Sequence, residues 1–260
     1  MNAVLVAVIA WNTFREAVRD RVLYNLVFFA LLMISAAILV GQISIGIERL
    51  IIVNLGLSAI SVFGAVMAVF LGVGLVHKEI ERRTLYTMLS KPVRRTEFIA
   101  GKYFGLAITL AVNTLLMTVG LVTALLYVDG TLRREDAAVM TGVFFIFLQL
   151  LLLTGIALAF SCFATPVVST LGTLGLYLAG IFSDDIRTFG SLSENPAMQR
   201  LTTFLYYVLP NFGQFNVISA VGHGQSVPGA LIAGNTAYTL LYVTVTLIAA
   251  AAIFSNRNMK

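Results

Sequence analysis

Long uncharged apolar runs alternate with short polar intervals along the whole chain. The runs cover 22–42, 50–76, 103–128, 137–164, 167–183 and 229–254. At 1.5 Å per residue the first reaches about 31 Å, enough to cross a hydrocarbon core of about 30 Å. The fifth is near the lower length limit. The pattern predicts six transmembrane helices, with the polar turn near Glu48 and Arg49 and the acidic turn at Asp129, Glu135 and Asp136 on one side. It loosens over 184–228. There Asp184, Asp185, Arg187, Glu194 and Arg200 precede an apolar stretch, 201–221, that Pro210, Asn211 and Gly213 interrupt. Such interruptions predict a re-entrant or interfacial segment packed against protein rather than a seventh span.

Two polar intervals have internal order. In residues 1–21, Val4, Ala7, Val8, Trp11, Phe14 and Val18 recur at helical spacing, with Asn12, Arg15, Glu16, Arg19 and Asp20 on the other side. A basic amphipathic helix of this kind lies in the membrane interface, anchored by Trp11, Phe14, Arg15 and Arg19. The alternative is a cytoplasmic extension of the first span. In 77–102, Leu85, Met88 and Leu89 form one apolar face of a short helix, and Glu79, Arg83, Tyr86 and Ser90 lie opposite. Pro92 ends that helix. Thr96 as cap and Glu97 as first-turn anion then predict the start of the next one.

Charge fixes the orientation. With six spans, three Lys and Arg fall at the N-terminus, seven in 77–102 and two at the C-terminus, twelve in all; the opposite side holds the other five. Basic residues are retained on the cytoplasmic side, so both termini and the 77–102 loop are expected inside. The composition agrees: 260 residues, 59% hydrophobic and 11% charged, against about 25% charged for soluble domains. The expected architecture is a single all-α polytopic membrane domain in a lipid bilayer. The net charge of +5 sits at membrane boundaries, so nucleic acid is not an expected partner. The single cysteine, Cys162, in apolar surroundings, reads as a small core residue. Arg15, Arg19 and Arg21 precede a first run without a small-residue cleavage site, so that span is expected to stay in the mature protein.

No catalytic constellation is visible, and neither a metal nor another cofactor is expected. His77 and His223 are far apart, and the Gly101-Lys102 pair lacks the upstream glycine of a P-loop. The spans carry no charge, whereas an ion-coupled carrier needs ionisable groups at membrane depth. Their polar residues are amides and hydroxyls: Asn54, Asn113, Thr109, Gln149 and Thr154. These either hydrogen-bond between helices or line a path. Gly64, Ala68 and Gly72 make a small-residue face that suits close helix contact, within the subunit or across a dimer.

The ordered loop resembles the permease subunits of ABC-2 type ABC transporters. The residues are Glu79-Ile80-Glu81-Arg82-Arg83-Thr84-Leu85, then Met88-Leu89-Ser90-Lys91-Pro92-Val93-Arg94-Arg95, then Gly101-Lys102. Arg83 stands where that family usually has Gly. Arg19-Asp20-Arg21 and Leu209-Pro210-Asn211-Phe212 also look like permeases of this group, notably those tied to multicopper-enzyme maturation, sodium extrusion and gliding motility.

The resemblance implies that a separate cytosolic ATPase docks on this loop and that two permeases form the path at their interface. Carried onto this chain, Leu85, Met88 and Leu89 pack against the ATPase, and Glu79, Glu81, Arg82, Arg83 and Thr84 belong to the same coupling helix. It implies an exporter subunit in a bacterial inner membrane, with no ATP hydrolysis of its own. The second permease is an identical or a related copy. The other readings are a mechanical scaffold without translocation and an ion-coupled carrier. ATPase stimulation without a transported species would mark the first, and nucleotide-free, gradient-driven uptake the second. Uncharged walls fit a lipid, a peptide or a hydrophobic small molecule.

Overall fold

In the computed structural model, residues 3–43, 46–81, 94–131, 136–193 and 195–256 are described, and no strand occurs among them. The helices are α1 (Ala3–Val18), α2 (Arg21–Ile43), α3 (Glu48–Glu81), α4 (Arg95–Asp129), α5 (Asp136–Ser161), α6 (Pro166–Ile181), α7 (Ser183–Ser191), α8 (Pro196–Val208), α9 (Ile218–Gly222) and α10 (Gly229–Asn256), with a 3-10 turn at Gly213–Phe215. Helices α2, α3, α4, α5 and α10 are each long and apolar enough to cross a membrane. A bend of 53° separates α6 from α7, and the two together supply a sixth crossing if taken as one broken span. The chain is an all-α polytopic membrane protein.

The layering follows from which faces are apolar. Helix α5 is apolar all round, as a central helix should be, and buries Phe145, Leu148, Leu150, Leu152 and Leu153. Helix α3 lies against it along the small-residue face read from the sequence. A Cβ on Gly64 would come within 2.7 Å of Leu150, and one on Gly72 within 2.7 Å of Ala157. That face is therefore used inside the subunit. At the start of both helices Arg49 pairs with Asp136. Helices α2 and α10 lie outside and expose large apolar residues, including Phe28, Phe29, Leu240 and Leu241, as lipid contact allows.

Helix α1 runs beside the first turns of α4 and in the same direction. Val6 and Ile9 face Gly101, and Ala10 and Thr13 face Gly105. Further along α4, Leu31 of α2 faces Gly120. The side of α1 in contact with protein is Val6, Ile9, Ala10, Thr13 and Ala17, a stripe of mostly small residues opposite the two glycines. Val4, Ala7, Val8 and Trp11 remain exposed.

The interval 184–228 divides into short pieces. Helix α8 has 13 residues, about 20 Å, which is short of a crossing. Its cap, Asn195, accepts from the Ala197 N–H at 2.9 Å. Thr202 is buried where α8 meets Gly190 of α7, and Leu201, Phe204, Tyr207 and Val208 are exposed.

The contact of α1 with α4 sets a test. A Cβ on Gly105 would lie 2.5 Å from the Ala10 carbonyl oxygen, and backbone cannot yield as a side chain can. Gly105→Ile is expected to destabilise the solubilised protein by about 1–3 kcal/mol, the usual cost of overpacking. Gly234→Ala, where nothing lies within 4 Å, should leave the melting temperature unchanged or raise it. Thermal unfolding in detergent reads both.

Candidate functional site

The helices that flank the 77–102 interval are long. Helix α3 continues to Glu81, past the end of the apolar run at residue 76, and its 34 residues reach about 51 Å. Helix α4 has 35 residues. Both exceed the hydrocarbon thickness of about 30 Å. Glu79 and Glu81 lie on α3; Arg82, Arg83, Thr84, Leu85, Met88 and Leu89 are outside the described residues.

On the far side of the loop, α4 begins at Arg95 with Arg94 as N-cap, earlier than Thr96. Glu97 thereby occupies the third helical position, where its carboxylate accepts from the Arg94 N–H at 3.2 Å, satisfying a donor at the helix edge. Arg95 donates to the Phe254 carbonyl of α10 at 2.7 Å, and its guanidinium lies 5.8 Å from the Phe254 ring centre. Phe98 stacks on the same ring, with centroids 6.0 Å apart and planes 15° apart. The Lys102 ammonium sits 5.9 Å from the Phe98 ring and 3.7 Å from the Glu16 carboxylate of α1. Lys102 is only 3% exposed, and burying a cation is costly without such partners. This cluster joins α1, α4 and α10 at the exit of the loop.

The N-terminal candidates sit on the outward sides of α1. Trp11 is exposed and lies 5.6 Å from the Phe14 ring. Arg15 and Arg19 are exposed as well, and Phe14 is half-buried.

The interior amides behave differently from one another. Gln149 donates to the Tyr177 hydroxyl at 2.7 Å and to Ser61 at 3.4 Å, linking α5 to α6 and α3. Asn113 is 4% exposed and its side-chain nitrogen has no partner; the Asn54 oxygen likewise has none. Thr109 and Thr154 donate to the carbonyls four residues earlier in their own helices. Only Gln149 among these makes the interhelical bonds that membrane packing favours. Tyr177 escaped the sequence reading because its ring reads as apolar at mid-span. The signal available was its hydroxyl, which needs a partner when buried.

The Leu209–Phe212 stretch closes the bend between α6 and α7. The Asn211 amide donates to Asp184 at 3.2 Å and its oxygen accepts from the Gln214 N–H at 3.2 Å. Its backbone N–H donates to the Tyr238 hydroxyl of α10 at 3.1 Å. Phe212 is buried, meets the Tyr177 ring edge to face at 5.0 Å, and its N–H donates to the Gly180 carbonyl at 3.0 Å. Among the described residues no group of three or more His, Cys, Asp or Glu is placed to hold a metal ion.

A family model described as ABC-2 family transporter protein matches residues 7–259. No curated protein matches the chain. With nearly its whole length covered, the chain belongs to the ABC-2 transporter family and is a permease subunit of an ABC transporter.

The polar link at the centre can be weighed directly. A double-mutant cycle of Gln149→Leu and Tyr177→Phe, read by unfolding in detergent, is expected to give a coupling energy of about 0.6–1.7 kcal/mol. A coupling of zero would show that the bond holds nothing.

Proposed function

We propose, from the chain's place in the ABC-2 transporter family, that it is one half of a dimeric exporter driven by a cytosolic ATPase docked on the 77–102 loop. The observation that carries this reading is the mounting of the loop. It connects α3 and α4, two helices longer than the membrane is thick, and the Arg95–Phe254 and Lys102–Glu16 contacts bind its exit to α10 and α1. A push delivered to the ends of α3 and α4 moves these helices as rigid bodies. Leu85, Met88 and Leu89 supply the apolar contact with the ATPase, and Glu79, Glu81, Arg82, Arg83 and Thr84 the polar rim.

The excess of basic residues around the loop and termini supports their cytoplasmic placement, and a bacterial inner membrane suits a permease of this layout. Trp11, Phe14, Arg15 and Arg19 hold α1 at the membrane surface, apolar side toward lipid.

Dimerisation is supported by α6. Val168, Leu171, Leu178 and Phe182 are exposed along it or at its end, and Gly175 completes the row with open space around it. Their spacing of three and four residues is that of a helix–helix seam. Because the Gly64–Gly72 face is occupied within the subunit, the α6 row is the face assigned to a second copy. Gln149 fastens α6 to the core behind that seam, while Asn54 and Asn113 are the interior amides left to line a path.

Co-purification from mild detergent tests the docking. Wild type is expected to bring down an ATPase subunit. Leu85→Asp with Met88→Asp should weaken that association by about a hundredfold or more, since each apolar side chain contributes about 1.5–3 kcal/mol. The dimer and the melting temperature should be unchanged. Equal recovery of the ATPase by both proteins would contradict docking at this loop.

A further inference from the structure

We infer that the groove between α4, α5 and α10 is a lipid site, holding an acyl chain of an anionic phospholipid whose headgroup lies at Arg95. The site is independent of ATPase docking. The groove has a volume of about 380 Å³ and its walls include Tyr103, Ala107, Ala111, Leu151, Thr244 and Leu247. Ala107 and Ala111, one turn apart, are too small to fill the space between α4 and α10. The groove follows the helix axes for about 12 Å, the rise from Tyr103 to Ala111.

Its chemistry selects a chain of methylenes. The hydroxyls that line it are all engaged: Thr239 and Thr244 donate to the Asn235 and Leu240 carbonyls, and Tyr103 donates to the Leu151 carbonyl at 3.2 Å. A polar ligand would lose its hydration here and gain no donor in return. An acyl chain loses nothing.

The groove walls are uncharged, and the Arg95 cation stands beyond the Tyr103–Leu247 end, about 12 Å further along α4. On α10, Phe254 lies seven residues beyond Leu247 and therefore on the same face; on α4, Arg95 lies about two turns before Tyr103. Arg95 is held across these two helices by its bond to the Phe254 carbonyl and its place over the ring, so its charge sits in the seam in which the groove runs. Arg94 is exposed beside it. Basic positions between helices at headgroup depth attract anionic lipids. The lipid belongs to the leaflet that meets the basic loop, and its seat touches the three helices that the Phe254 cluster and the core bring together.

Native mass spectrometry of the full chain, titrated with phosphatidylglycerol and phosphatidylcholine of matched chain length, tests this. Wild type is expected to retain one phosphatidylglycerol in preference to phosphatidylcholine. Ala107→Trp and, from the opposite wall, Thr244→Trp should each lose the retained lipid. Leu116→Trp, exposed elsewhere on α4, should keep it. Arg95→Gln should reduce the preference for the anionic headgroup about fivefold, and Arg95→Lys should restore it. Retention by both groove-filling variants overturns the site, and an undiminished preference in Arg95→Gln overturns the headgroup assignment. Loss of dimer without loss of lipid in the groove-filling variants would show that a second copy covers the groove, which also overturns it. All these readings are made without the ATPase, so they stand or fall separately from docking at 77–102.

Discussion

Inside a bilayer, apolar side chains gain nothing by leaving lipid for protein, so helices associate only where backbones approach closely or polar groups meet. The bundle is arranged around this constraint. Gly64 and Gly72 bring α3 onto α5, and Gly101 and Gly105 bring α1 onto α4. Where side chains are larger, single polar ties take over. Gln149 reaches Tyr177 and Ser61 at the centre, and Asn211 fastens the bend of α6 and α7 to α10. Other large apolar surfaces, those on α2, α4, α6 and α10 among them, are left for lipid or for another chain.

The same constraint separates a rigid part from a loosely held one. Helices α3, α4 and α5 are packed along most of their lengths, and α1 and α10 are locked onto α4 by charged and aromatic contacts at one end. Helix α6, by contrast, has 16 residues, exposes one whole side and meets the core through Ser169, Thr173 and Gly180, with Tyr177 reaching Gln149. A push arriving between α3 and α4 would thus displace a stiff unit relative to α6. In the proposed dimer, that relative movement would open and close a path between two copies.

Hydropathy made most of the spans legible, because an uncharged run of 20 or more residues has few other homes. It could not tell protein from lipid. The exposed residues Val4, Ala7, Val8 and Trp11 stood out on α1, while its packed stripe is built of small residues such as Ala10, Thr13 and Ala17, chosen for their size against glycine. It also ended α3 at residue 76, where charge begins, although the helix itself runs on to Glu81. The fifth run, 167–183, was visible as apolar and matches α6, but α7 fell in the polar interval after it, and the bend between the two is packed by Asn211 and Phe212 from far along the chain. The Arg95–Phe254 contact spans 159 residues, and no local pattern announces it. The glycine at Gly101 was noticed only for its neighbour Lys102; its role is to admit α1.

Sidedness is the most direct test of how the loop is used. In a Cys162→Ala background, Ser90→Cys reports the loop and Ser226→Cys reports the exposed turn before α10. The two are then labelled with a membrane-impermeant maleimide in intact and in permeabilised bacterial cells. Expected is labelling of Ser226→Cys in intact cells and of Ser90→Cys only after permeabilisation. Labelling of Ser90→Cys in intact cells would put the loop on the side away from ATP, and docking of a cytosolic ATPase there would be contradicted.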